Sequence, residues 1–158
     1  MSLFKKSKIL VIGDAMLDKY SFGTINRISP EAPVPVLKIK EEIMKPGGAA
    51  NVAANVRSLG IETNLITNIG KDINGKLLTK LIKSQKINLI SDSLENFKTT
   101  VKTRVISQNQ QLIRIDDDSI NNLKNKNTFT KSTEKLIKNS DAIIISDYNK
   151  GSIRNISN

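Results

Sequence analysis

Few side chains in this chain can move a proton. The sequence holds no His and no Cys, which removes imidazole bases, Ser-His-Asp triads, thiolate nucleophiles, disulfides and the commonest zinc ligands. Asp, Glu, Lys and Tyr are left for acid–base work. Acids recur at one kind of place: Gly13-Asp14, Gly70 with Asp72, and Ser146-Asp147 each close a short apolar run. In an open α/β sheet the carboxyl ends of the strands border the ligand crevice, so three such endings predict one site. Each acid taken singly is equally well explained as a helix N-cap or a turn residue.

Gly47-Gly48-Ala49-Ala50-Asn51 is the second constellation. Two glycines ahead of a helix let backbone pass close to a ligand, the helix start supplies free N–H groups, and Asn51 offers a donor and an acceptor. This suits a polyhydroxyl or anionic substrate. No Gly-Lys-Ser/Thr follows, so it is not a Walker A loop, and it lacks the Gly-x-Gly-x-x-Gly of dinucleotide folds.

The elements that must position these residues are legible in outline. Lys8 to Gly13 reads as a strand buried on both faces. Tyr20 to Ile43, broken by Pro30, Pro33 and Pro35, reads as excursion strands outside the main sheet. Ala49 to Leu59 is a predicted helix with Val52, Val56 and Leu59 on one face and Gly60 as its C-cap. Thr63 to Ile69 and Asn88 to Ile90 are predicted strands, and Asn74 to Gln85 a helix with Leu77, Leu78, Leu81 and Ile82 on one stripe. Thr99 to Ile106 and Gln110 to Asp116 form a hairpin through Ser107-Gln108-Asn109. A polar loop from Asp117 to Thr130, a helix from Lys131 to Lys138 and a buried strand from Ala142 to Ser146 complete the pattern. Strands alternating with helices predict a layered α/β domain.

At 158 residues, 38% hydrophobic and 25% charged, the chain has the length and composition of one globular domain. The apolar run after the N-terminal lysines stops at Gly13-Asp14, too short for a signal peptide, and no uncharged stretch is long enough to span a membrane. Cytoplasm is the expected location. The net charge of +10 favours anionic partners, although lysines spread through a Lys- and Asn-rich chain also describe an ordinary solvated surface. With 4% aromatics and no Trp, the stacking platform of a single-strand nucleic-acid binder is missing.

Gly47-Gly48-Ala49-Ala50-Asn51-Val52-Ala53, then Gly60 and Gly70, resembles the N-terminal signature of the ribokinase-like sugar kinases, the PfkB family. Flanking words narrow the resemblance: Gly13-Asp14-Ala15-Met16-Leu17-Asp18-Lys19-Tyr20, Ile28-Ser29-Pro30-Glu31-Ala32-Pro33-Val34-Pro35-Val36, Asn109-Gln110-Gln111 and Ser146-Asp147-Tyr148-Asn149-Lys150-Gly151. They are similar to the kinase domain of the D-glycero-β-D-manno-heptose-7-phosphate kinases, often joined to an ADP-heptose synthase. The resemblance runs from about Lys8 to Gly151.

It implies a ribokinase-like three-layer α/β sandwich with a mostly parallel central sheet and a β lid, the lid segments being about 20–43 and 99–116. The implied reaction is transfer of the γ-phosphoryl group of ATP, with Mg²⁺, to the anomeric hydroxyl of heptose 7-phosphate, in ADP-heptose and lipopolysaccharide core synthesis. Asp14, Gly47, Gly48 and Asn51 are the implied ligands of sugar hydroxyls, with Asp18 a lesser candidate. Lys102, Arg104 and Arg27, in lid-like segments, are candidates for the sugar phosphate. Arg104 or Arg114 paired with Asp116 is the competing reading, favoured for Arg114. Asp147 and Lys150 are assigned to the nucleotide or phosphate side, Lys150 equally well to a turn. A homodimer through the lid, or a partner supplying a C-terminal part, is implied.

One departure bears on catalysis. The family's second signature is a Gly-Ala-Gly-Asp segment whose Asp activates the acceptor hydroxyl beside an anion hole, and this sequence has none. The expectation is therefore a domain incomplete at its C-terminus, the substrate-binding and lid half of a truncated or split kinase without the ATP-binding part, inactive or unstable alone. A non-catalytic sugar-phosphate binding or interaction module, another sugar or nucleoside kinase fragment, and a basic nucleic-acid binder are the alternatives.

Overall fold

A computed structural model of the chain describes residues 7–91, 93–94, 97–118 and 131–153. Its elements in chain order are β1 (Lys8–Gly13), β2 (Ala15–Ile28), β3 (Pro35–Gly48), α1 (Ala49–Ser58), β4 (Glu62–Ile66), β5 (Ile69–Gly70), α2 (Ile73–Ser84), β6 (Asn88–Ile90), β7 (Ser93–Leu94), β8 (Val101–Ser107), β9 (Gln110–Asp117), α3 (Lys131–Lys138) and β10 (Ala142–Ser146). The predicted loop at Asp117–Thr130 falls mostly outside the described residues.

Three layers arise from one all-parallel sheet, ordered β10-β1-β4-β6. β1 is apolar from Ile9 to Ile12 because it runs between two neighbours and is covered on both faces. Val11 and Leu65 face α1 and α2, packing with Ala49, Ala50, Ala53, Leu78, Ile82 and Ile87. Leu10, Ile12 and Ile66 face the other way, against Leu136 and Ile137 of α3. Burying residues of this size contributes about 1.5–3 kcal/mol each.

Details of α1 differ from expectation. Its buried face is Ala49, Ala50, Ala53 and Val56, while Leu59 is 60% exposed. Small side chains let the helix lie close on the sheet: a Cβ on Gly13 would stand 3.1 Å from the Ala49 Cβ and 2.0 Å from the Ser146 carbonyl oxygen. Leu59, not Gly60, is the C-cap, and Gly60 follows at φ 85°. The region expected as one strand, Thr63 to Ile69, divides into β4 and β5 at Thr67-Asn68, with β5 leaving the main sheet to pair with β7. β10 is apolar as expected and, among the described residues, lies at one edge of the sheet, leaving Ile143 and Ile145 half exposed.

A second sheet, ordered β3-β2-β8-β9, stands apart from the parallel one. The excursion strands are longer than expected: β2 and β3 pair antiparallel from Ala15↔Gly48 out to Ile28↔Pro35, with irregularities near Phe22 and Ile25. β8 joins β2 in parallel and returns as β9 through a two-residue turn, Gln108-Asn109, both at positive φ. The segments that resemble a lid therefore form one four-stranded sheet rooted at Ala15, Gly48 and Val101.

Candidate functional site

The carboxyl ends of β1, β4 and β10 meet around Asp14. Its side chain is 1% exposed and accepts three backbone N–H bonds, from Tyr148 (Oδ2, 2.9 Å), Lys150 (Oδ2, 3.0 Å) and Ser152 (Oδ1, 2.9 Å). Its backbone is engaged as well: the Asp14 N–H donates to the Ser146 carbonyl, and the Asp14 carbonyl accepts the first amide of α1, Ala49 N–H, at 2.9 Å. Gly48 makes that approach possible. It sits at φ 56°, and a Cβ there would lie 2.3 Å from the Asp14 carbonyl oxygen. Asn68 adds ties to the same turn, its N–H donating to Ser152 Oγ and its Nδ2 to the Gly151 carbonyl.

Asp18 sits four residues along, near the start of β2 in the second sheet, and its environment is different. Its Oδ1 accepts from Arg104 at 2.7 Å, and its Oδ2 lies so near Gly47 that a Cβ there would be 2.5 Å away. Register places Lys45 and Lys102 directly opposite Asp18 on the two neighbouring strands. The Arg104 guanidinium and Lys45 Nζ both stand over the Tyr20 ring, at 5.1 and 5.7 Å. The bond to Asp18 is the main cause of the raised Arg104 pKa, outweighing its desolvation. One carboxylate among three cations, against a ring face and a glycine backbone, sets a hydroxyl acceptor beside groups able to bind an anion.

The structure thus brings together Asp18, Gly47, Lys102 and Arg104, and places the other predicted residues elsewhere. The Asp14 carboxylate is occupied by backbone amides, and Gly48 serves its carbonyl. Asn51 is exposed and shares with Lys45 and Pro46 the wall of an open groove of about 680 Å³ running beside Arg57 and Gln85. Arg27 lies seven residues beyond Tyr20 on β2, roughly 23 Å along an extended strand, and lines a separate hollow with Thr24, Asn26, Val36 and Lys38. It does not join Arg104. Asp147 is exposed and accepts the Asn149 N–H, starting a turn. Lys150 pairs with Asp118, whose pKa is lowered chiefly by that bond and also by the charge of Lys102. Arg114 binds Asp116 as expected, but along one strand rather than across the hairpin, with Nε 2.8 Å from Oδ1.

Asp72, the third strand-end acid, is a helix cap. Its Oδ1 accepts from Gly75 N–H and its Oδ2 from Thr99 N–H. Burial pushes its pKa up, and hydrogen bonds from the Thr99 and Gly75 amides, the Thr99 hydroxyl and the Asn74 amide together outweigh that and hold it below the ordinary carboxylate value. Lys45 and Tyr20 are the residues sequence reading missed. The signal that finds them is register: once β2 and β3 pair from Ala15↔Gly48, alternate positions put Asp18, Tyr20 and Lys45 on one face.

A sequence profile described as pfkB family carbohydrate kinase matches residues 6–155. The chain is 46% identical over 154 residues to the bifunctional protein HldE of Haemophilus influenzae, covering 97% of this chain and 32% of that protein. It is 45% identical to the protein of the same name from Actinobacillus succinogenes, with the same coverage. The chain spans about a third of the length of these relatives. Among solved structures, a carbohydrate kinase from Agrobacterium tumefaciens superposes with a TM-score of 0.66 at 21% identity, over 88% of this chain and 45% of that one. Arabidopsis thaliana ribokinase complexed with ribose and ATP gives 0.66 at 18% identity, over 88% and 44%. These likenesses establish the fold.

Proposed function

The chain belongs to the pfkB family of carbohydrate kinases, and on that premise we propose that it forms the sugar-phosphate side of an ATP-dependent heptose 7-phosphate kinase. The observation that carries this reading is the cluster of Asp18, Gly47, Lys102, Arg104 and Lys45 at the base of the second sheet. Asp18 accepts a sugar hydroxyl in competition with Arg104, the Gly47 backbone leaves room for the Asp18 carboxylate, and the cations receive the 7-phosphate. The sheet that carries them acts as the lid, closing over the sugar to exclude water and limit wasteful ATP hydrolysis. A second copy pairing through the exposed faces of that sheet is the proposed partner, and the cytoplasm the proposed location; no helix among the described residues is long and apolar enough to cross a membrane.

ATP is the proposed phosphoryl donor, with Mg²⁺ supplying charge neutralisation for the transferred group when bound. Among the described residues no three acidic side chains gather to hold a metal ion, and the buried Asp14 and half-buried Asp72 have their oxygens taken by backbone amides. What the chain's own residues do is bind and orient the acceptor. The test is calorimetric titration of the chain with heptose 7-phosphate and with unphosphorylated heptose. Binding that requires the phosphate and is lost in Arg104→Ala supports the reading; equal affinity for both sugars, or none by the folded chain, overturns it.

A further inference from the structure

The turn after β10 has a backbone built for an anion. Asn149 and Gly151 are left-handed, at φ 56° and 98°, and they alternate with Tyr148, Lys150 and Ser152, none of which has positive φ. Such alternation turns successive N–H groups toward one point, a nest of the kind that receives phosphates and other oxyanions. Here the three converging amides all donate to one internal carboxylate, that of Asp14.

The same turn reaches the second sheet at two places. Tyr148 presents its ring 6.0 Å from Lys102 Nζ on β8, and Lys150 pairs with Asp118, which follows β9 and also lies in the field of Lys102. At its other end it is tied to Asn68 beside β4. The turn therefore bridges the parallel sheet and the base of the β8–β9 hairpin.

We propose that Asp14 is a positioning residue, an internal anion whose carboxylate folds residues 147–152 into a nest that clamps the β8–β9 hairpin and so fixes Lys102 and Lys150 relative to the sugar-phosphate site. The first half, that the carboxylate folds the turn, stands on geometry alone. The second, that this orients Lys102 for a ligand, rests on the proposed function. Asp14 touches no substrate in this scheme, which distinguishes it from Asp18.

The test is residue-resolved amide hydrogen exchange on the full chain, with Asp14→Gly in the presence of sodium formate or of sodium chloride at equal ionic strength. The expected result is exchange at least tenfold faster at Tyr148, Lys150 and Ser152, with core amides of Leu10 and Leu65 unchanged, and recovery with formate but not chloride. Unchanged protection at the three amides, or equal recovery in chloride, overturns the proposal. Should Asp14→Gly fail to fold, Asp14→Asn decides: its one carbonyl can serve the Tyr148 and Lys150 amides while its NH₂ opposes Ser152, so Ser152 alone should exchange faster. Uniform loss or no loss at the three positions overturns the proposal. Heptose 7-phosphate affinity then separates the halves. A wild-type chain that does not bind removes the proposed function and leaves the exchange result standing; one that binds, with Asp14→Gly binding equally well, removes the positioning role.

Discussion

Asp14 and Asp18 are the same residue type four positions apart, and the molecule uses them in opposite ways. Asp14 is 1% exposed at the end of a parallel strand, with three backbone amides on its two oxygens. The Asp18 side chain is 16% exposed on a strand of the second sheet, with one guanidinium on one oxygen and a glycine backbone under the other. A carboxylate saturated by main chain cannot exchange partners without unfolding a turn. One held by a side-chain cation can, at a cost of about 1 kcal/mol, offset by a ligand. The contrast separates a carboxylate that holds shape from one free to change partners, the one the proposed function gives to substrate.

Replacing each aspartate is the strongest way to break that contrast. Asp14→Ala leaves three inward-facing amides without an acceptor, each costing about 1–3 kcal/mol where water cannot reach it, and urea denaturation should show a loss on the order of 3 kcal/mol. Asp18→Ala should lower stability by about 1 kcal/mol or less while weakening heptose 7-phosphate binding about a hundredfold in calorimetry, a group's worth of charge-assisted hydrogen bonding. If the two variants lose similar stability, the distinction between shape and substrate fails.

How far the sequence discloses this contrast depends on what each residue bonds to. The parallel sheet was legible because Ile9 to Ile12 and Ala142 to Ser146 are apolar runs closed by Gly-Asp or Ser-Asp, and Asp72 conforms to the N-cap pattern written into Asp72-Ile73-Asn74-Gly75. The engagement of the Asp14 carboxylate is not legible, because what saturates it is main chain from 134 to 138 residues away, and an amide N–H carries no side-chain signature. Lys45 escaped for a related reason. Only the register of β2 on β3 brings it opposite Asp18, and register follows from pairing rather than from local pattern. The separation of Arg27 from Arg104 is hidden in the same way, because sequence shows which segment Arg27 belongs to but not how far along the strand it lies.

Gly47 sharpens the comparison from the backbone side. A methyl at this position would stand 2.5 Å from Asp18 Oδ2 and 2.9 Å from Met16 Cγ. Gly47→Ala should therefore push the carboxylate out of line, lowering heptose 7-phosphate affinity about tenfold with about 1–2 kcal/mol of overpacking. An alanine variant that binds as tightly as the wild type would show that Asp18 takes its position from Arg104 alone.

Acid tests two other held carboxylates more gently, Asp72 on backbone amides and Asp118 on a lysine. The pKa values of Asp72 and Asp118 are lower in the folded chain than ordinary values, so their protonated forms are disfavoured by folding. The stability they contribute is present in full above about pH 4 and is lost as pH falls through the lower folded values. Urea midpoints measured from pH 6 down to 3 should show Asp72→Asn less stable than wild type at the upper end and the gap narrowing toward the lower. A gap independent of pH would place the effect in packing rather than in the charge.

The smallest effect belongs to Arg114, and it tests whether a cation on the second sheet matters by sign or by partner. Arg114 lies directly opposite Arg104 across the β8–β9 register, a like-charge pairing that is unfavourable unless each guanidinium has its own acid. Arg104 has Asp18 and Arg114 has Asp116, the second pair with side chains 51% and 30% exposed. Removing Arg114 deletes an exposed ion pair of little value and at the same time relieves Arg104 of a neighbouring charge, so the two terms oppose. Arg114→Ala should change stability by less than about 0.5 kcal/mol and leave heptose 7-phosphate affinity within about twofold, where Arg104→Ala loses tenfold or more. Equal losses from the two arginines would mean that the ligand responds to the summed field of the sheet, and that the Asp18–Arg104 contact holds no privileged place in it.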